Sequence, residues 1–199
     1  MTGTETTGPT EQDAALLARV AADDMGALEC LFARYEAPVR TFALGITRDA
    51  ETAEEIVQDV FYRLYRNAGQ LDRSLPLMPW LYRVTANLSY NRARRRRFWT
   101  EPFHALAERL LAPARREPER VAEQHELQAM VRATLDQLAP NHRAVLILYY
   151  LEEYTIAEIA GILDIPEGTI KSRLHHARRL LKDHLLRRYG AAATLLDQA

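Results

Sequence analysis

The stretch 155–181, TIAEIAGILDIPEGTIKSRLHHARRLL, decides how the chain is read. Thr155 and Glu158 form the pattern of a capping box, in which hydroxyl and carboxylate each satisfy a backbone N–H that a helix start leaves unpaired. A short helix is therefore predicted from there to Ile162 or Leu163. Asp164-Ile165-Pro166 makes the turn, and Pro166 suits the first position of the next helix because its missing N–H would have no partner there. The second helix runs from Glu167 to past Leu181. At about 100° per residue, Ile170, Leu174, Ala177 and Leu181 form one apolar stripe with Leu180 at its edge. Gly168, Ser172, His175 and Arg179 point the other way, flanked by Lys171 and His176. Thr169 sits by the helix N-terminus, where backbone N–H groups and the helix dipole favour a phosphate. Two close helices, the second cationic on its outer face, have the form of a DNA-binding helix-turn-helix. The alternative is a solvated polar face on an ordinary helical hairpin.

The charge around this stretch is segregated along the chain. Formal net charge is −1 over 199 residues, which alone argues against a polyanionic partner. Yet residues 1–60 hold 12 acidic side chains against 4 arginines, whereas 76–97 hold six arginines and no acid. Residues 167–188 hold seven Lys or Arg against two acids. Two basic patches can lie on one polyanion while the acidic part faces something else. The length suits one domain or two small ones, and a low glycine and proline content suits helices. The single cysteine, Cys30, excludes an internal disulfide framework, and the helical periodicity around it predicts a small core residue. No basic-apolar leader and no apolar run of about 18 residues is present, so the expectation is a cytoplasmic protein without membrane insertion.

Outward from the helix-turn-helix, the pattern is helical throughout. Residues 1–10 lack periodicity and are expected to be disordered. A helix is predicted over 11–21 on Leu16, Leu17 and Val20. A second, capped by Asp23 or Asp24, carries Leu28, Leu31, Phe32 and Tyr35 and continues through Val39, Phe42, Ala43 and Ile46, with Pro38 threatening its continuity. Asp49 caps a third to about Arg66. Its Ile56, Val57, Val60, Phe61, Leu64 and Tyr65 make a wide buried stripe, and Glu54, Glu55, Gln58, Asp59 and Tyr62 are left for solvent or a partner. Residues 67–79, with Gly69, Pro76 and Pro79, read as a loop. Trp80 opens a long helix with Leu81, Val84 and Leu88 inward, ending in the run Arg94 to Arg97. Adjacent guanidinium groups repel one another unless an anion is near, so this run reads as a nucleic-acid patch or a solvated helix end. Trp80 and Tyr82 offer flat surfaces, Asn87 and Asn91 offer base-edge hydrogen-bonding groups, and Arg83 with Arg92 to Arg97 can hold phosphates. Trp80 serves equally as a core residue. Residues 98–120, with Pro102, Pro113 and Pro118, read as a flexible linker. A second helical unit starts near Val121, with Leu127, Met130, Val131, Leu135 and Leu138 as its stripe, and 142–151 is its central helix. Residues 191–199 are expected to fray.

Three stretches in this order carry a resemblance: DAETAEEIVQDVFYRLYRN (49–67), WLYRVTANLSYNRARRRR (80–97) and LAPNHRAVLILYYLEEYTIAEIAGILDIPEGTIKSRLHHARRLL (138–181). The chain resembles a bacterial sigma-70 family sigma factor of the extracytoplasmic-function type. The resemblance implies an all-α protein of two small helical domains joined by a flexible linker, the second carrying the helix-turn-helix. Domain 11–97 would then bind core RNA polymerase and the minus-ten element, 98–120 would link, and 121–189 would bind the minus-thirty-five element. It implies polymerase contacts from Glu54, Glu55, Gln58, Asp59, Phe61 and Tyr62. It implies minus-ten and melting contacts from Arg73, Trp80, Arg83, Asn87, Asn91, Arg94 and Arg95. For the minus-thirty-five element it implies Thr155, Gly168, Thr169, Lys171, Ser172, Arg173, His175, His176 and Arg179. The partners implied are core RNA polymerase, double-stranded and melted promoter DNA, and an anti-sigma factor of the kind that often restrains such proteins. Leu77, Pro79 and Thr85 depart from the residues usual at their positions.

Enzyme chemistry finds no footing in the residues. The six histidines form no HExxH, no phosphate-binding G-x-x-x-x-G-K-[ST] occurs, and neither metal nor cofactor is expected. Adjacent His175 and His176 diverge by about 100° on a helix. The competing reading is a DNA-binding regulator that acts without replacing another sigma factor.

Overall fold

In a computed structural model, residues 11–95 and 137–189 are described. They form seven helices: α1 Glu11–Val20, α2 Met25–Thr47, α3 Ala50–Asn67, α4 Leu77–Arg95, α5 Pro140–Tyr150, α6 Ile156–Leu163 and α7 Glu167–Tyr189. Helices α1–α4 pack on one another and α5–α7 pack on one another, as two units divided after Arg95. The expected linker, the helix from Val121, and both expected disordered ends lie outside the described residues.

Short polar residues start the helices of the first unit. Asp24 caps α2 by accepting from the Ala27 N–H at 3.1 Å, and its carboxylate also takes the Arg19 guanidinium at 2.8 Å. The hydrogen bonds from Arg19 and Ala27 hold the Asp24 carboxyl below its ordinary value. Asp49 does the same for α3, accepting from Thr52 N–H at 2.7 Å. Between α2 and α3 the chain reverses at Arg48, which is left-handed at φ 62° and donates its N–H to Leu44 O at 2.7 Å.

Pro38 does not break α2, which runs unbroken for 23 residues. A mid-helix proline costs roughly 3 kcal/mol. Leu31 on one side of it and Val39, Phe42 and Ile46 on the other are fully buried, and their packing holds both halves in line. Helix α4 begins at Leu77, three residues before Trp80. Pro79 falls in its first turn, where no backbone partner is required of it. Cys30 is exposed, contrary to the core position expected, because the neighbouring Ala27 and Leu31 take the inward face of α2.

The first core is built from Leu31, Ile56, Val60, Leu64 and Leu81, with Leu16, Leu17 and Val20 closing one side. Helix α1 is also fixed by a buried acid. Asp13 is 4% exposed and accepts from Arg34 and from the Tyr35 hydroxyl, both on α2. Burial and the Asp13 charge push the Tyr35 phenol up to about 12. Thr85 satisfies its buried hydroxyl by donating to Leu81 O at 2.7 Å.

In the second unit α5 is buried along its length, from Arg143 through Leu148. The Arg143 guanidinium is not left bare, since it donates to Leu138 O at 2.7 Å. Helix α6 opens with the expected capping box: Glu158 N–H donates to Thr155 Oγ1 at 3.3 Å, and Thr155 N–H donates to Glu158 Oε2 at 2.8 Å. It ends at Asp164, left-handed at φ 56°. Pro166 precedes the first turn of α7, one position earlier than expected, and its carbonyl accepts from Thr169 N–H at 2.9 Å. Ile170, Leu174 and Ala177 are buried against α5 and α6. Leu180 lies at the margin of the stripe, and the side chain of Leu181 lies outside the described residues.

Candidate nucleic-acid and protein interfaces

Helix α7 presents its outer face as the periodicity requires. Gly168, Lys171, Ser172, His175 and Arg179 are exposed, while Thr169 and Arg173 are half-buried. Open space surrounds Gly168, so backbone can be approached closely at the start of the helix. Lys171 is 3.5 Å from Glu167 one turn back, so an anion at this place competes with that carboxylate. Thr155 is exposed, but its hydroxyl is committed to the capping box.

His176 is placed differently from its neighbour. Its ring leans on His142 of α5, with centroids 4.9 Å apart, and it is half-buried, whereas His175 is exposed. His142 Nδ1 lies 3.0 Å from Asn141 Oδ1. Burial, with the positive charge of His176 and Arg173 nearby, holds His142 below its usual 6.5. A histidine depressed in the fold takes up its proton less readily there, so the stability it gives above its unfolded value is lost as pH falls below 6.5 toward the lower folded value. The thermal midpoint is therefore expected to drop as pH falls below 6.5, and His142→Phe, which keeps a ring without a titrating group, should shrink that drop. An equal drop in both proteins would show that this contact is indifferent to pH.

Arg178, which the sequence left unassigned, fastens α7 to the end of α5. Its Nε donates to Tyr150 Oη at 2.7 Å, and its guanidinium lies 5.9 Å and 5.7 Å from the Tyr149 and Tyr150 ring centroids. Such cation–π contact holds the helix at its angle and keeps this arginine from the outer face.

In the first unit, the loop before α4 is shaped by Asp72, which accepts from Ser74 N–H at 2.9 Å and from Ser74 Oγ at 2.6 Å. These bonds hold the Asp72 carboxyl below its ordinary value. The turn leaves Arg73 and Leu75 exposed. On α4, Asn87 and Asn91 are exposed and Arg83 is half-buried. Trp80 is half-buried and packed against the core, so it serves the fold and keeps an accessible edge. Tyr82 does not offer a flat surface: it is 1% exposed and meets Phe42 edge-on at 4.7 Å. The side chains of Arg94 and Arg95 lie outside the described residues.

On α3, Glu54, Glu55, Gln58 and Tyr62 are exposed and Asp59 is half-buried. Phe61 faces inward, 4% exposed, with its ring 4.8 Å from Phe32, so any part it takes in an interface is to support the surface rather than form it. Phe32 is 41% exposed and carries that aromatic pair to the surface. Glu54 pairs with Arg40 of α2 at 3.5 Å. Glu55 and Asp59 both pair with Arg92 of α4, which is thereby turned to α3 and away from the phosphate-holding role expected of it. Periodicity carried the clue, since Arg92 stands four residues after the buried Leu88.

Among the described residues no group of three or more His, Cys, Asp or Glu is placed to hold a metal ion, and no helix is long and apolar enough to cross a membrane.

Residues 31–98 match the family model described as Sigma-70 region 2, and residues 128–181 match that described as Sigma-70, region 4. The ECF RNA polymerase sigma factor SigL of Mycobacterium tuberculosis is 31% identical over 163 residues, covering 81% of this chain and 90% of that protein. The probable RNA polymerase sigma factor RfaY of Xanthomonas campestris is 30% identical over 157 residues, covering 78% of this chain but 39% of that longer protein. Among solved structures, CnrH in complex with the cytosolic domain of CnrY aligns with TM-score 0.61 at 20% identity, over 89% of this chain and 99% of that one. At that identity the likeness speaks for the fold.

Proposed function

Because the chain belongs to the extracytoplasmic-function sigma factors, a family that works by binding rather than catalysis, we propose that it attaches to core RNA polymerase through its first unit, recognises promoter DNA with both, and helps hold the promoter open. The observation that carries this reading is the order of the two matches on one chain, region 2 followed by region 4. A regulator that only bound DNA would need the α5–α7 unit alone and would leave the exposed acidic row of α3 without a large partner.

The division of work follows from the chemistry of the surfaces. Region 4 reads the upstream element with the outer face of α7. Region 2 takes polymerase on the Glu54, Gln58 and Tyr62 side of α3, whose exposed polar side chains are of the kind that rims a protein interface. Melting breaks no covalent bond. It requires a few kcal/mol per unstacked base to be offset by contacts that exist only with the open strand. Arg73 on the Asp72 turn, the edge of Trp80, Asn87 and Asn91 are the accessible groups proposed to make those contacts. Tyr82 is too buried to stack with a base. An anti-sigma protein covering these same surfaces is the proposed restraint.

Permanganate reactivity of promoter thymines tests the melting step. With core polymerase and this protein together, thymines around the start site should become reactive, and Asn87→Ala should reduce that reactivity more than it reduces binding to the closed promoter. Retention of the duplex by the complex with no reactive thymine would limit the protein to recognition.

A further inference from the structure

The buried row of α4 runs Leu81, Thr85, Leu88, and Arg92 continues it beyond the end of the apolar contact. From there its guanidinium reaches back to α3: Nη1 donates to Glu55 Oε2, and Nη2 donates to Asp59 Oδ2 at 2.6 Å. The Arg92 side chain is 27% exposed, against 56% for Glu55 and 44% for Asp59. Glu55 and Asp59 are one turn apart on α3, a spacing at which like charges repel. A planar guanidinium between them removes that repulsion and fixes both carboxylates by charge-assisted bonds, which an isolated pair of solvated acids would lack. Each carboxylate gives Arg92 one oxygen, and the exposure of the two acids leaves the other oxygen within reach of a partner.

We propose that Arg92 is a positioning residue for polymerase binding: from the promoter-facing helix it sets the two α3 carboxylates in the geometry that a basic surface of core polymerase engages. This rests on reading α3 as the polymerase-facing helix. Pre-set carboxylates lose less freedom on binding than mobile ones, so the gain appears as affinity for a partner bearing Arg or Lys. The same link gives the polymerase-binding and DNA-binding helices one shared contact. Arg92 thus differs in role from the arginines that follow it on α4.

The test is a binding cycle of the full chain with purified core polymerase. The proteins are wild type, Arg92→Met, Arg92→Lys, the pair Glu55→Gln with Asp59→Asn, and that pair combined with Arg92→Met. Arg92→Met is expected to weaken binding roughly 5- to 10-fold in the wild-type background and less than about 2-fold once both acids are neutral. Arg92→Lys should recover part of the loss, and the salt dependence of promoter-DNA binding should be unchanged in Arg92→Met. Equal loss in both backgrounds, or a DNA salt slope lowered by about one unit, would overturn the proposal, the latter making Arg92 a phosphate ligand. Thermal midpoints of all five proteins identify any loss that comes from unfolding, and the Lys variant then decides by whether it restores binding at matched stability. Wild type that fails to bind core contradicts the functional reading, whereas wild type that binds with an additive cycle contradicts only the role of Arg92.

Discussion

Charge reversal on the outer face of α3, Gln58→Arg with Asp59→Arg, is expected to weaken binding to core RNA polymerase by more than about 100-fold, on the order of 3 kcal/mol. Gln58 is exposed and has no part in the core, so its change places positive charge on the surface without disturbing packing. Asp59 is half-buried and paired with Arg92 at 2.6 Å, so its reversal brings two cations together across α3 and α4. Both changes oppose a basic partner, and like charges facing across an interface cost several kcal/mol. The helices themselves should survive, because the stripe of Ile56, Val57, Val60, Phe61 and Leu64 is untouched. Equilibrium binding with circular dichroism of each variant checks this. Affinity within a few-fold of wild type, at unchanged helical content, would remove α3 from the interface.

The second large effect belongs to α7, and it splits by residue. Base edges in the major groove are read by side chains on the face opposite the packed stripe, while phosphate contacts mainly fix position. Ser172 and His175 are exposed on that face. Substituting either by alanine should change preference at particular upstream bases, by about 1–3 kcal/mol where a well-fitted contact is lost. Lys171→Ala should instead weaken binding on every sequence and lower the salt slope by about 0.9 for one phosphate, less whatever Glu167 already takes from that charge. His176 leans on His142, so its replacement should tilt the helix and affect many bases modestly. A binding series over single-base variants of the upstream element, at two salt concentrations, separates these outcomes. If Ser172 and His175 substitutions weaken all variants equally, α7 acts as an electrostatic clamp and promoter choice rests on the first unit.

Much of this was legible in the residues because helix starts are local chemistry. Thr155 with Glu158, Asp24 and Asp49 each satisfy N–H groups within three residues of themselves, so neighbours in the chain reveal them. The buried stripes of α3 and α7 were legible for the same reason, since a period of about 3.6 depends on no distant element. What escaped was decided by tertiary packing. Pro38 reads as a helix breaker until Leu31 and Val39 are seen held on either side of it. Arg92 reads as one more cation in a basic run until Glu55 and Asp59, more than thirty residues earlier, are brought beside it. His175 and His176 look alike in sequence, and only the position of α5 distinguishes them. Tyr82 is an error of another kind. An aromatic ring among polar neighbours suggests a flat surface for a base, but this one is buried against Phe42, whereas Phe61 lies in the buried stripe where its period places it.

Equilibrium binding of purified core RNA polymerase to the full chain and to a variant lacking residues 1–95 decides whether the first unit, α1–α4, joins this protein to the polymerase. The full chain should bind core, and the truncated variant should lose nearly all of that affinity while its α5–α7 unit still retains duplex DNA. Undiminished binding of core by the truncated variant would take the polymerase contact away from α1–α4, and failure of the full chain to bind core under conditions where it binds DNA would remove it altogether.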